Sequence, residues 1–196
     1  MSRFTPTSGQ YKEQLQSLSG NLRATVMIRL CCETGMARDE LANLRRENLD
    51  KIHPGGLWID KAKAIKSKKR HGKWEYEMRV REVPVNASLY TLLDAYLQTH
   101  TSLYILDRTR HTKDVKPLKA NSINHIFISE LNCPWSPHDC RHYFRAQVRK
   151  WMIKERQMDE QVIKEMMGHS LNISERYGGE SDFDYKLDIV NAVFGA

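Results

Sequence analysis

The chain has 196 residues, 40% of them hydrophobic, and a formal charge of +7. That length supports one solid core, no apolar run reaches the length of a membrane span, and the N-terminus lacks the charged-then-apolar order of a secretory signal. Cys31, Cys32, Cys133 and Cys140 form no CxxC pair and two of them are adjacent, which argues against a disulfide framework and for a reducing interior, while the basic balance favours a polyanionic partner.

Thr7 or Ser8 caps a first predicted helix over about Gln10 to Leu18, broken by Ser19-Gly20. A second, from Leu22 to Cys32, sets Val26, Met27, Leu30 and Cys31 at core spacing and stops at Thr34-Gly35; a third begins near Ala37 and includes Leu41 and Leu44. Pro54-Gly55-Gly56 marks a turn into a strand at Leu57-Trp58-Ile59. Two basic arms, Lys61 to Lys66 and Glu75 to Val85, read as a β-hairpin with a mobile tip at Lys68 to Lys73. Asn86 or Ser88 caps a helix whose inner face is Leu89, Leu92, Leu93, Tyr96 and Leu97. Leu103 to Leu106 reads as a short strand and Thr109 to Lys116 as a basic loop. Helices follow at about Asn121 to Leu131, Pro137 to Lys154, Asp159 to Met167 and Asp182 to Val193. The expected fold class is mainly α with a small antiparallel β-sheet, an α+β domain. The expected division is residues 1–21 as extension and first helix, 22–180 as the central domain and 181–196 as a C-terminal helix. On that last helix Phe183, Leu187, Val190 and Phe194 form one stripe, able to dock on its own domain or a neighbour's.

Three short segments carry candidate chemistry. In Ser136-Pro137-His138-Asp139-Cys140-Arg141 the serine suits an N-cap, the proline the first helical position, and His138 and Arg141 then share a face at the positive end of a helix. The planar fork of Arg141 can grip two phosphate oxygens. Gly168 suits a helix C-cap and presents His169 just beyond it. Tyr177 stands among Ser174, Glu175, Arg176 and Gly178-Gly179, polar neighbours that suit a displayed rather than a core phenol. Each piece alone has a bland reading as a capped helix, a solvated histidine or a surface tyrosine. His138 and His142 also stand four apart on one helical face, but Asp139 fills the place of the glutamate in HExxH and no third ligand lies near, so no metal is expected.

In order and spacing, HxxR, then Gly-His, then Tyr, resemble the catalytic block of the tyrosine recombinases, also called phage integrases. Thr34-Gly35-Met36 with Glu40, Leu41 and Leu44 resembles that family's first-arginine motif, and the hairpin ending Arg81-Glu82-Val83-Pro84-Val85 resembles its lysine-bearing strand pair, so the resemblance runs from about Leu22 to Gly179. Two departures stand out. Ala37 occupies the first-arginine position, with Arg38 next to it, and His169 to Tyr177 is one residue shorter than the family's usual spacing.

The resemblance implies an isolated catalytic domain of a DNA-joining enzyme. Tyr177 would attack phosphorus to form a 3′-phosphotyrosine, Arg141 would hold the nonbridging oxygens, His138 would take the phenolic proton or bind phosphate, and His169 would bind the same phosphate. Lys68, with Lys66 second, would protonate the leaving 5′-oxygen. The segment Lys61 to Arg81 holds nine Lys or Arg against two acids, and Lys63, Lys69, Arg70 and Lys73 are its expected DNA contacts. Further implications are double-stranded DNA as partner, a homotetramer on it, no membrane, no cofactor, and the cytoplasm of a prokaryotic or viral mobile element as setting. Ala37, natural or introduced, implies impaired cleavage. Two alternatives remain at this point: a catalytically inactive DNA-binding regulator or excision factor, and a type IB topoisomerase-like enzyme.

Overall fold

A computed structural model describes residues 4–49, 55–70, 73–106, 117–169 and 181–195, with residues 60–70 and 73–80 given by their backbone pairing alone. Eight α-helices and one hairpin, with a short 3-10 turn at Arg46–Asn48 and a π-helical turn at Ile126–Glu130, make up the regular structure of the described residues: α1 Ser8–Ser17, α2 Leu22–Thr34, α3 Arg38–Asn43, β1 Gly56–Arg70, β2 Lys73–Pro84, α4 Ala87–Leu97, α5 Ala120–His125, α6 Pro137–Lys154, α7 Glu160–Met166 and α8 Phe183–Phe194. The expected mainly helical fold with a small antiparallel sheet is the one observed.

Local chemistry sets most boundaries. Thr7 and Gln10 close a reciprocal capping box on α1, at 3.2 and 2.8 Å. Asn21 and Asn86 cap α2 and α4 by accepting the backbone N–H groups of Ala24 and Leu89, each at 3.0 Å. Gly35 ends α2 at φ 63, in the left-handed region, and a Cβ there would stand 2.6 Å from the Phe144 ring. Only glycine meets both demands.

The core has α2 at its centre, against α4, α6 and α8. Val26, Met27, Ile28, Leu30, Cys31 and Cys32 are fully buried, and Phe127, Phe144, Leu89 and Leu93 fill the space around them. A buried polar network ties the layers. Glu33 accepts from the Tyr11 hydroxyl, from Arg29 Nε at 2.8 Å and Nη2 at 2.9 Å, and from Asn86 Nδ2 at 2.6 Å. It joins α1, α2 and the cap of α4 with its acceptors satisfied, the condition under which a buried carboxylate is tolerated. All four cysteines are free and buried.

The hairpin enters the core at its base. Leu57, Ile59, Val83 and Val85 are buried while Trp58 is exposed, the alternation of a half-buried strand. Pairing runs from Gly56↔Pro84 to Arg70↔Lys73, so the strands extend past the expected tip at Lys68, with irregularities between Ile59 and Ala62, Ala62 and Ile65, and Lys66 and Lys68. Bulges of this kind turn a strand and re-aim its side chains.

Three expectations need correction. Leu103 to Leu106 is not a strand: Tyr104 makes one isolated bridge to Arg45, while Ile105 and Leu106 turn into the core. Leu44 lies outside α3 as its extended C-cap, though it is buried as expected. The helix expected to run to Leu131 changes pitch after His125 into a π-helical turn, Ile126–Glu130, closed by Leu131 N–H to Ile126 O at 2.9 Å. On α8 the buried positions are Lys186, Ile189 and Val190, and Phe194 stacks on Phe144 with centroids 5.7 Å apart. This helix packs on its own domain. The expected loop Thr109 to Lys116 lies outside the described residues.

Candidate active site

Three helix ends and a turn meet around one cleft of ≈ 730 Å³: the start of α3, the start of α6, the end of α7 and the turn after it. Ala37, Arg38, Asp39, Glu40, Asn124, Ser136, His138, Arg141, Gly168 and His169 line it. Of the residues expected at the site, Ala37, Arg38, His138, Arg141 and His169 are therefore brought together from three distant segments.

The α6 end is fixed by a complete capping box. Ser136 Oγ accepts from Asp139 N–H at 3.3 Å, Asp139 Oδ2 accepts from Ser136 N–H at 2.8 Å, and Pro137 takes the first turn. His138 is thereby held exposed at the positive end of an 18-residue helix. Arg141 reaches across the cleft floor, donating from Nη1 to the Gly35 carbonyl and from Nη2 to the Met167 carbonyl. Among the described residues no carboxylate hydrogen-bonds or pairs with it. Burial, and then the neighbouring Arg81 charge, push its guanidinium down to about 10 against the pull of Glu40. It still carries its charge at neutral pH, and its own hydrogen bonds go to carbonyls, while the nearby Glu40 carboxylate is bonded to Arg81 instead. A cation in that position has a strong demand for an anion.

His169 is presented by a Schellman motif. His169 N–H donates to Lys164 O and Gly168 N–H to Glu165 O, both at 2.8 Å, and Gly168 sits at φ 63. The two remaining terminal carbonyls of α7 go to arginines: Met166 O accepts from Arg81 Nη1 at 2.7 Å, and Met167 O from Arg141.

Arg81 and Glu40 were not among the expected site residues. Arg81, near the end of β2, holds Glu40 with two parallel bonds of 2.9 and 2.8 Å, and the side chains are 8% and 7% exposed. Glu40 also accepts the Ala37 N–H at 2.7 Å. Burial alone would raise the Glu40 carboxyl; the Arg81 bonds and charge, the Ala37 N–H and the Arg141 charge outweigh it and hold it below the usual carboxylate value. Gly168 lies against the same guanidinium, since a Cβ there would come within 2.8 Å of Arg81 Nε. The pair thus clamps α3, β2 and α7 together behind the cleft. Its only sequence signal is a glutamate three residues after Ala37 and a cation at the strand's end. Nothing in the pattern separates Arg81 from the eight other cations of its hairpin segment.

Arg38 is exposed beside Ala37. Lys66 pairs with Tyr76, Lys68 with Glu75, Lys69 with Trp74 and Arg70 with Lys73 in the strand ladder, and Lys63 lies on β1; the side chains of these six cations are outside the described residues. Tyr177 also lies outside them. Among the described residues no helix is long and apolar enough to cross a membrane.

The family model for the phage integrase family matches residues 8–178. Among solved structures, the chain is similar to XerA recombinase, at a TM-score of 0.64 and 18% identity over 91% of this chain and 64% of that one. It is similar to the integrase from mycobacterium phage Brujita, at 0.67 and 18% over 98% of this chain and 59% of that one. It is similar to the Tn1549 transposon integrase in complex with transposon right end DNA, at 0.65 and 16% over 100% of this chain and 67% of that one. No curated protein matches its sequence. The chain spans less than two thirds of the length of the first two of these relatives. With the family model covering most of its length, and the fold shared with these structures, the chain belongs to the phage integrase, or tyrosine recombinase, family and carries that family's catalytic-domain fold.

Proposed function

We propose that this chain is the catalytic part of a site-specific DNA recombinase that cuts and rejoins strands through a 3′-phosphotyrosine at Tyr177, and that Ala37 impairs it. The carrying observation is Arg141: a partly buried guanidinium, bonded only to carbonyls among the described residues, facing a cleft that His138 and His169 share. That arrangement suits a phosphodiester, whose nonbridging oxygens would complete the arginine's hydrogen bonds and gain strength as charge develops in the transition state. His138 would receive the tyrosine proton or donate to phosphate, and His169 would donate to the same phosphate. Lys68, or Lys66 in its place, would protonate the leaving 5′-oxygen from the hairpin. Lys63, Lys69, Arg70 and Lys73 would meet DNA phosphates along the same ribbon. The phosphotyrosine keeps the bond energy for rejoining, so no nucleotide is consumed.

Double-stranded DNA as partner is supported by a relative solved on its transposon end. Assembly as a homotetramer on paired sites in the cytoplasm of a host cell completes the reading. The first-arginine position falls at Ala37, on the cleft wall, where a methyl group cannot touch an anion. Arg38 lines the same cleft and is a nearby cation that would substitute in part. Losing one contact to developing charge lowers the rate by about a hundredfold to a thousandfold.

The test is a nicked suicide substrate offered to the chain, to Ala37→Arg, and to Ala37→Arg with Tyr177→Phe. A covalent protein–DNA adduct that rises strongly in the second and vanishes in the third is expected. DNA binding without adduct in all three, with folding intact, would favour the one alternative that Ala37 supports, a DNA-binding regulator that no longer cuts.

A further inference from the structure

The helix that carries His138 and Arg141 carries a second histidine for which the chemistry above has no use. His138 and His142 lie one turn apart near the start of α6, with their Nε2 atoms 3.1 Å apart. The ring centroids are 4.5 Å apart and the planes cross at 82°. A straight N–H···N bond of that length would hold the centroids roughly 5.4 Å apart, and hydrogen bonds weaken steeply off the line. The shorter separation and the crossed planes mean that the two rings do not meet in line, so the hydrogen bond between them is bent and weak. Metal–imidazole bonds run about 2.0–2.1 Å, so two nitrogens on one ion, at angles between a right angle and the tetrahedral value, stand about 2.9–3.4 Å apart. The observed 3.1 Å falls inside that window.

The surroundings define the kind of site. The capping box and helical spacing hold both rings on a rigid element. His138 is exposed and His142 half-buried, which leaves room for water at the remaining coordination positions. Among the described residues no group of three His, Cys, Asp or Glu is arranged to hold a metal, so this is not a closed structural centre. Arg38 and Arg141 line the same cleft and oppose a cation, while Asp39 favours one. The balance fits an exchangeable ion held by two imidazoles, bound more weakly than in a four-ligand zinc site.

We propose that His138 and His142 form an open two-nitrogen site for a divalent transition metal, Cu²⁺, Ni²⁺ or Zn²⁺, at the mouth of the cleft. An ion there ties up the His138 nitrogen and fills the cleft mouth with its hydration shell, so it inhibits whatever reaction the cleft performs. That inhibitory role rests on the recombinase reading; the binding does not.

The test is calorimetric titration of the purified chain with each ion, together with electron paramagnetic resonance of the Cu²⁺ form. Cu²⁺ should bind more tightly than Ni²⁺ or Zn²⁺, the order imidazole ligands impose, and its spectrum should show two imidazole nitrogens. His142→Gln and His138→Gln should each weaken Cu²⁺ binding at least tenfold and leave one nitrogen, with thermal melts showing that the variants fold. If His142→Gln does not fold, the exposed His138→Gln decides alone. A folded variant that keeps wild-type affinity and two nitrogens would overturn the proposal and assign the ion to other histidines among the chain's eight. In an Ala37→Arg background, Cu²⁺ should suppress adduct formation, and His142→Gln should relieve that suppression at least tenfold; equal sensitivity of both would overturn the inhibitory role. Absence of any adduct in Ala37→Arg would instead refute the recombinase reading and leave the binding result standing.

Discussion

Arg81→Met removes the clamp behind the cleft while keeping most of its volume. The guanidinium makes three bonds, two to Glu40 at 2.9 and 2.8 Å and one to Met166 O at 2.7 Å, from a side chain 8% exposed. Removing one member of a buried pair leaves the other charged and poorly solvated, which costs about 3–5 kcal/mol. For a chain of this size that lowers the melting temperature by roughly 6–20 °C. The pH dependence identifies the cause. In the wild type Glu40 lies below the usual carboxylate value, so its stabilisation is present above that value and is lost as pH falls through the lowered one. In the variant burial is left with less opposition, the carboxyl rises, and protonation relieves the penalty. The deficit relative to wild type should therefore shrink as urea denaturation is repeated from roughly pH 7 down to pH 4. Arg81→Met with Glu40→Leu removes both charges and should recover much of the loss. A loss under about 1 kcal/mol, a deficit that does not change with pH, or a double variant no better than the single one would refute the account.

Two glycines give a controlled comparison by circular dichroism melts. Gly35→Ala meets the Phe144 ring at 2.6 Å and keeps a positive φ, so it should cost about 2–5 kcal/mol, whereas Gly20→Ala, at φ 87 with nothing within 4 Å, should cost only about 1–2 kcal/mol of backbone strain. Glu165→Gln should destabilise by about 3 kcal/mol, because it strips the carboxylate from Lys186, 3.0 Å away and 7% exposed. Burial raises the Glu165 carboxyl, but bonds from Gln161, Lys186 and Ser181 lower it further; its contribution should fade as acid titration passes below the ordinary carboxylate value, and should be missing from the variant's acid-unfolding curve. Burial raises the Cys140 thiol, the neighbouring Cys31 and Cys32 thiols pull it below the ordinary thiol value, and the side chain is fully buried. Access should therefore control reactivity: a thiol reagent should label none of the four cysteines in the native protein and all four in urea, and rapid native labelling of Cys140 would refute this.

The helices were legible in the sequence wherever a cap and a core stripe agreed. Ser136 and Pro137 start α6, and its apolar spacing carries it to Lys154 as expected. Leu103 to Leu106 misled because a run of β-favouring residues says nothing about whether a partner strand lies beside it; here the neighbouring chain at Leu44 to Arg46 offers one bridge only. The π-helical turn was invisible because its apolar residues, Ile126 and Phe127, suit an α-helix equally well. At the site, motif spacing picked out His138, Arg141 and His169, which the fold brings to one cleft. It missed Arg81, whose role is to hold other groups, because an inward guanidinium and an outward one read alike in a basic strand. That distinction depends on the bulged register of the hairpin and on which glycine packs against it.

Ala37 is best understood through the charge balance of the cleft. Arg81 and Arg141 already face a single carboxylate, Glu40, and Arg141 is depressed to about 10 by burial and by Arg81. A further guanidinium at position 37, beside Arg38, would add a positive charge with no counterpart among the cleft's described residues except Asp39. Ala37→Arg should therefore lower the stability of the free protein, by about 1–2 kcal/mol at low salt, since like charges in a half-buried cleft disfavour one another. The same repulsion is what an anion relieves. Ligand linkage then requires that inorganic phosphate stabilise Ala37→Arg more than the parent chain, by an amount that grows with phosphate concentration and exceeds the effect of chloride at equal ionic strength. Thermal melts across a phosphate series measure both quantities without any DNA. If Ala37→Arg is as stable as the parent and gains nothing extra from phosphate, position 37 does not face the anion cleft, and the absence of an arginine there cannot explain a loss of cleavage.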